Sequence, residues 1–529
     1  MRRSADFVFI LLIAGLLSFC SMGYELLIAR FLASLTADAI LAQSLTVGCF
    51  LFAMGFGAFA YGKRKPRSPW TFLVGVELMI SLIASIAIPA MSLASLYVTR
   101  PWRLIVGCQL VTFAIGFLSG AELPALIEVA KKYSSRAFGW VLAANYLGAL
   151  LISILLPQVF VPALGLYMFS WTLALATALA AGLMFIRSLE FRPSLRWPGL
   201  VVVLMLPPFL SSQRDTFEQF YLKSYYYFAP SSLMPSEIKS TLEAHADLPR
   251  VQRFSSPYQE IDIVQDDLHL VGLDRYDGEF HLLLDQRNQF GSHTEAIYHD
   301  TMVHGSINLA RQKPARALVI GGGDGLIVRD LLRYPEVAAV TLVELDPMMI
   351  HLANDPQALR SLNKGALLDK RVTVVTGDGF EWLRRDGEKF DAIFIDLPHP
   401  NSLDVSRLYS MEFYTFAKRR LSNEGFLVFD FPFSSLMKTG GERSKILASS
   451  ITEAVAAAGF KSSAAFGFWE SFMIASTKER TFEFDYEALE PYVADISAFN
   501  LALVQLSPRP AMPNSIFRPR VMKRTFEGG

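Results

Sequence analysis

Four carboxylates in the second half of the chain, Asp324, Glu344, Asp378 and Asp396, each follow a short apolar run. The first lies in ALVIGGGDGLIVRD (317–330), between Gly321, Gly322, Gly323 and Gly325. A glycine-rich turn from strand to helix ordinarily cradles phosphate, because amide N–H groups and a helix N-terminus converge there. A carboxylate at the tip of such a turn opposes phosphate. Glu344 follows at about the spacing of an acid that accepts both hydroxyls of a ribose. Asp378 ends the next strand and can accept a hydrogen bond from an adenine amine. An adenosine moiety therefore fits the pair. NAD would set its pyrophosphate against Asp324. Intact S-adenosylmethionine would set its carboxylate there. Decarboxylated S-adenosylmethionine ends in a bare ammonium on a three-carbon arm, which Asp324 and Asp396 suit.

The elements that must hold these acids are legible as an alternation. Residues 251–290 carry short alternating runs broken by Asp and Gly, the pattern of a small antiparallel β unit. A helical segment, TEAIYHDTMVHGSINLA, follows. Strands are then expected at 317–320, 339–345, 371–379, 390–396 and 425–431, with helices between them. Such alternation predicts a parallel, doubly wound sheet. Ligands of these sheets bind beyond the carboxyl ends of the strands, where all four acids lie.

The ordered motifs SPYQEI, LLLDQRNQF, EAIYHD, GGGDG, VELDP, GDG, FDAIFIDLPHP and LYSMEFY, with YELL, ELP and NYLGAL earlier in the chain, resemble the polyamine aminopropyltransferases, in particular the multi-pass membrane spermidine synthases. The resemblance implies a Rossmann-like, class I methyltransferase-like catalytic domain. It implies transfer of the aminopropyl group of decarboxylated S-adenosylmethionine, a co-substrate and not a resident cofactor, to a diamine such as putrescine. Methylthioadenosine would be released. By resemblance Gln259 and Gln289 line the nucleoside pocket, and Tyr298 and His299 stand near the reacting centre. Gly321, Gly323 and Gly379 shape the cofactor turns, Asp324 holds the aminopropyl ammonium, Glu344 the ribose and Asp378 the adenine. Asp396 orients and deprotonates the attacking amine, and Trp469 lies near the polyamine end. His399 stands where the family has a second acid, and Asn145 where relatives often have one. No metal is expected, and a homodimer is the family's common state. The alternatives are an S-adenosylmethionine-dependent methyltransferase and a non-catalytic polyamine-binding or transport protein.

The first half is of another kind. Of the 529 residues, 52% are hydrophobic and 19% charged, with a mean hydropathy of +0.33. That is more apolar than a soluble protein of this length, and the excess lies before residue 212. Spans are expected near 7–29, 39–61, 70–97, 103–129, 138–160 and 164–186, each long enough to cross a bilayer. Arg2 and Arg3, KRKPR, KKYSSR and RSLEFRPSLR mark alternate loops, which places the N-terminus in the cytoplasm. The shorter run 197–212 is expected to be re-entrant or interfacial. That would leave the catalytic domain cytoplasmic, beside its metabolite, on an inner-membrane protein. Glu25, Glu77 and Glu122 interrupt the apolar runs, a costly placement that is usually functional. Cys20, Cys49 and Cys108 all lie in apolar runs and offer no disulfide framework. The histidines lack zinc spacing. The net charge of zero gives no ground for nucleic acid. The expected divisions are a membrane domain 1–212, a linker 213–250, a β subdomain 251–295, a catalytic domain 296–480 and a tail 481–529.

Overall fold

The computed structural model describes residues 2–36, 39–98, 101–187, 197–227, 248–265, 279–398, 403–431, 442–467, 470–493, 502–506 and 512–519. His399 and Trp469 lie outside the described residues. The chain forms two compact units: residues 1–278 with 282–287, and residues 279–281 with 288–529. This division differs from the expected one. The first strands group with the helices, and the chain beyond residue 480 belongs to the catalytic unit.

The first unit begins with α1 (Arg2–Thr36), α2 (Ala39–Lys63), α3 (Pro69–Tyr97), α4 (Pro101–Ala130), α5 (Ala137–Leu155) and α6 (Val161–Arg187). Five helical runs are long and apolar enough to cross a membrane; the fifth, Ala137–Arg187, contains two of the expected spans. A π-turn at Leu156–Phe160 and a non-helical Gly165 (φ 70°, ψ 174°) separate those two. The unit is inverted relative to a water-soluble bundle. Phe52, Phe56, Leu110, Leu147 and Ile186 are exposed, while Glu25, Glu77 and Glu122 are buried. Each of these acids keeps one carboxylate oxygen without a hydrogen-bond partner among the described residues.

Both ends of the bundle can be identified. At one, Arg187 pairs with Asp6, Tyr61 donates to Glu128 at 3.0 Å, and Lys63, Arg64, Lys65, Lys131, Lys132 and Arg136 cluster in the neighbouring turns. At the other, Arg30 donates to the carbonyls of Ser256 and Pro257 at 2.7 and 3.1 Å. There Leu96 packs with Tyr221, Val251 and Val264. The helix α7 (Trp197–Ser212) runs along α6 and α3. Its residue Leu200 lies in the cluster at the basic end, and Leu210 lies against the cluster at the other. Sixteen residues at 1.5 Å each make a helix of about 24 Å. The run 197–212 is thus a helix packed along α6 and α3, shorter than the five runs long enough to span. It delivers α8 (Arg214–Tyr227), and then β1 (Gln252–Ser255) and β2 (Glu260–Gln265), to the end opposite the basic residues. The expected linker 213–250 is thus partly helical.

The strands β1 and β2 pair antiparallel. With β3 (Phe280–Leu284) and β4 (Arg287–Gly291) they form a sheet in the order β1-β2-β3-β4, and the unit boundary passes within β3.

In the second unit a helical run begins with α9 (Glu295–Asp300). Then β5 (Arg316–Gly321), α10 (Leu326–Leu331), β6 (Ala339–Glu344), α11 (Pro347–Asn354), β7 (Val372–Thr376), α12 (Gly379–Arg384), β8 (Phe390–Asp396), α13 (Met411–Arg419), β9 (Leu421–Asp430), α14 (Glu442–Ala457), β10 (Ser462–Gly467), β11 (Ser471–Ser476) and β12 (Ala502–Leu506) follow. The sheet order is β12-β10-β11-β9-β8-β5-β6-β7. The five strands from β5 to β9 are parallel, as expected. The last three are antiparallel, so the sheet is mixed. Ala317 and Val319 enter one apolar cluster, Leu318 and Ile320 the other. Burial on both faces explains why these strands read as continuous apolar runs. The chain leaves β5 for β6 on one side and returns to β8 on the other, which makes the β5/β8 junction the topological switch.

Close helix approach generates one prediction. A Cβ at Gly120 would lie 2.1 Å from the Met54 carbonyl oxygen, and one at Gly57 1.9 Å from that of Phe117. Small residues let helix backbones meet in this way. Gly120→Val forces α2 from α4 and should cost at least the 1–3 kcal/mol typical of overpacking. A lowered melting temperature in detergent, with Gly55→Val near wild type because its position is open, is the expected pair of results.

Candidate active site

The glycine turn is shaped by what lies against it. Gly321 has φ 79°, and a Cβ there would sit 1.9 Å from the Asp396 carbonyl oxygen. A Cβ on Gly323 would meet the Glu344 side chain at 2.7 Å. Instead the Gly323 N–H donates to Glu344 Oε2 at 3.1 Å, and the Asp346 N–H donates to Oε1 at 2.8 Å. Asp324 Oδ1 accepts from the Leu326 N–H at 2.8 Å, capping α10. Its carbonyl accepts from the buried Asn363 at 2.7 Å. The turn thus points a nearly buried carboxylate from a fixed backbone.

One oxygen each of Asp324 and Asp396 and one imidazole nitrogen of His299 lie within 4.8 Å of one another. Tyr298 donates to Asp396 Oδ1 at 2.8 Å. Nδ1 of His299 lies 2.8 Å from Glu295 Oε2. Arg329 grips both oxygens of Glu295, at 2.7 and 3.1 Å, and also pairs with Asp330. Burial pushes Asp396 up, the Asp324 carboxylate adds to it, and His299 and Tyr298 only partly offset them, leaving it at about 6. Burial likewise raises Glu344 to about 7. Burial pushes His299 down, but the Glu295 hydrogen bond and the Asp324 carboxylate outweigh it and hold the imidazole at about 9. One imidazole and two carboxylates can ligate a metal ion. Nδ1 is engaged by Glu295, which leaves Nε2 as the nitrogen a metal would take; without a metal, Glu295 favours the imidazolium. Glu295 neutralises that imidazolium, so Asp324 and Asp396 together present negative charge to a cation.

The second unit thus brings Tyr298, His299, Asp324 and Asp396 into one cluster and sets Glu344 against Gly323. Asp378 caps α12, accepting from the Phe380 N–H at 2.8 Å, and also accepts from Arg407 at 2.7 Å. The sequence reading left Asp378 without that cation. A Cβ at Gly379 would lie 2.5 Å from Ile320 Cγ2. Gln289 is exposed on β4. Gln259 belongs to the first unit, in the Ser256–Gln259 turn.

Sequence reasoning missed Glu295, Arg329, Asn363, Arg407 and Asp430. Asp430 could have been found by the rule that found Asp396, since it ends β9 as Asp396 ends β8. It is buried, and burial and the neighbouring Glu470 and Asp396 carboxylates push it well above the usual range. The others carry no local signal, because their meaning lies in partners distant in sequence.

The domain model for the spermine/spermidine synthases matches residues 295–437. Polyamine aminopropyltransferase 2 of Ralstonia nicotianae is 31% identical over 420 residues, covering 77% of this chain and 76% of that protein. The polyamine aminopropyltransferase of Leptospira interrogans is 31% identical over 422 residues, covering 78% and 76%. A crystal structure of spermidine synthase in complex with the transition-state analogue AdoDATO aligns with a TM-score of 0.37 and 22% identity, over 46% of this chain and 85% of that one.

The Glu295 network sets a pH window for stability. Burial pushes Glu295 up, but the His299 and Arg329 hydrogen bonds hold it at about 2 instead of 4.5. Its contribution is therefore full above pH 4.5 and lost as pH falls toward 2. His299 moves from 6.5 to about 9, so its contribution is full below pH 6.5 and lost as pH rises through 9. The difference in melting temperature between wild type and Glu295→Gln should be greatest between about pH 4.5 and 6.5 and shrink on either side, read by thermal denaturation across pH.

Proposed function

Because the chain belongs to the polyamine aminopropyltransferase family, we propose that its buried pair Asp324 and Asp396 is where decarboxylated S-adenosylmethionine meets a diamine. The convergence of these two carboxylates on one imidazole carries the reading. Asp324 accepts the aminopropyl ammonium. Glu344, fixed by two backbone N–H groups, keeps lone pairs for the ribose hydroxyls. Asp378 serves the adenine side, with Arg407 holding its other oxygen. The amine nitrogen forms a new bond to the methylene carbon beside the sulfonium. The carbon–sulfur bond breaks, its electron pair neutralises the sulfur, and methylthioadenosine leaves. The proton lost by the attacking ammonium passes to Asp396, with Tyr298 on its Oδ1. Most of the acceleration is orientation, worth about 7–11 kcal/mol in favourable cases.

Asp430 answers a difficulty raised by the sequence. His399 replaces an acid expected at the acceptor end, while Asp430, unforeseen, lies close enough to Asp396 for that carboxylate to raise it. A second ammonium of the diamine supplies the positive charge that lets Asp430 ionise.

The outward apolar side chains and inward acids support a membrane location for the first unit. The basic residues at one end favour that end as cytoplasmic. With α7 as a further crossing, Gln213 then falls on the outer side; with α7 re-entrant, it falls on the cytoplasmic side, beside the metabolite. In the first case a phosphatase fusion after Gln213 should be active and a β-galactosidase fusion there inactive; the reverse pair of results assigns the second.

Purified protein given decarboxylated S-adenosylmethionine and putrescine should release methylthioadenosine. Asp396→Asn should lower that rate by about 10²–10⁴-fold, the usual worth of a positioned base. The wild-type kcat/KM should climb with pH through about 6 as Asp396 loses its proton. Asp430→Asn should raise KM for the diamine while leaving KM for the aminopropyl donor near wild type. Methyl transfer from intact S-adenosylmethionine, without aminopropyl transfer, would overturn the reading.

A further inference from the structure

The first unit contains a cavity of its own, walled by Tyr167, Glu218, Tyr221, Glu260, Asp285 and Gln286 among others. It has about 20 Å³ for the centres of water-sized groups, enough for one or two. Glu260 is 4% exposed. One oxygen accepts from Ser255 at 2.6 Å, and the other, Oε1, has no hydrogen-bond partner among the described residues. Gln286 Oε1 is likewise without a partner there, while its amide donates to Tyr221 at 3.3 Å. A buried carboxylate oxygen left in this state carries an unmet desolvation cost.

Arg253 also lines the cavity, and it and Arg30 offset part of the Glu260 charge, but neither hydrogen-bonds Oε1. Arg253 is spent on both oxygens of Asp262, at 2.7 and 2.6 Å. Arg214 bonds Glu218 at 3.2 Å, and Arg30 bonds two carbonyls. Asp285 and Gln286, with φ of 46° and 65°, form the two-residue turn that joins β3 to β4. Both line the cavity, and Asp285 accepts from the Glu260 N–H at 3.0 Å.

We propose that this cavity binds a protonated primary amine, with Glu260 Oε1, Gln286 Oε1 and Asp285 accepting from the ammonium. Three N–H donors meet three acceptors. An ammonium is water-sized and fits, whereas a guanidinium or a quaternary ammonium does not. None of the cavity's lining residues is among Asp324, Asp396, Tyr298 and His299, so it is proposed to hold an amine not undergoing transfer.

The test uses the full chain with Asp324→Asn and Asp396→Asn, so that amine binding at the candidate active site is weakened and turnover is absent. In phosphatidylcholine nanodiscs, calorimetric titration with 1,4-diaminobutane should show one saturable site, and tetramethylammonium should show none. Adding Glu260→Gln should weaken the diamine at least tenfold, and Asp285→Asn should weaken it in the same direction, so that misfolding of either variant leaves the other to decide. Competition from phosphatidylethanolamine in the disc assigns the amine to lipid, and its absence assigns it to a soluble amine. No saturable site, equal affinity in both variants, or equal binding of tetramethylammonium overturns the proposal. Because the readout is binding in turnover-null protein, its failure is distinct from failure of aminopropyl transfer.

Discussion

Two carboxylates cannot share a buried space without positive charge between them. Asp324 and Asp396 meet that constraint through His299, and much of the second unit is arranged to hold it there. Glu295 holds His299 as an imidazolium beside them, and Arg329 holds Glu295. The glycines of the turn bring the backbone close enough for Asp324 to face Asp396 across the β5/β8 junction. The proposed preference for a cationic substrate rests on the repulsion that His299 and Tyr298 only partly offset.

The parallel core was legible because its strands are buried on both faces and so read as uninterrupted apolar runs ending in acids. Asp324, Glu344 and Asp396 stood out for the same reason: a charge directly after such a run has few structural excuses. The last three strands were not legible as part of the sheet, since their antiparallel pairing depends on partners far along the chain. Asp378 was readable as a strand-end acid, but not as a partner of Arg407, which comes from a segment with no sequence sign of the contact. Asp430 was overlooked although it satisfies the rule applied to Asp396, which is a lapse in applying the pattern and not a limit of the sequence.

The helical unit repeats this logic in reverse. Its spans were evident from apolar length, and its buried acids from their rarity there. The run at α7, sixteen residues with two adjacent prolines, is a continuous helix because it packs along α6 and α3. The unpartnered oxygens of Glu25, Glu77 and Glu122 show that this bundle tolerates polar cost in its interior, as does the cavity at Glu260.

The position of β12 bears on self-association. This strand hydrogen-bonds β10 and forms the sheet's edge. Wherever β12 fails to pair, β10 presents unpaired N–H and C=O groups, an adhesive border that another copy of the chain can join.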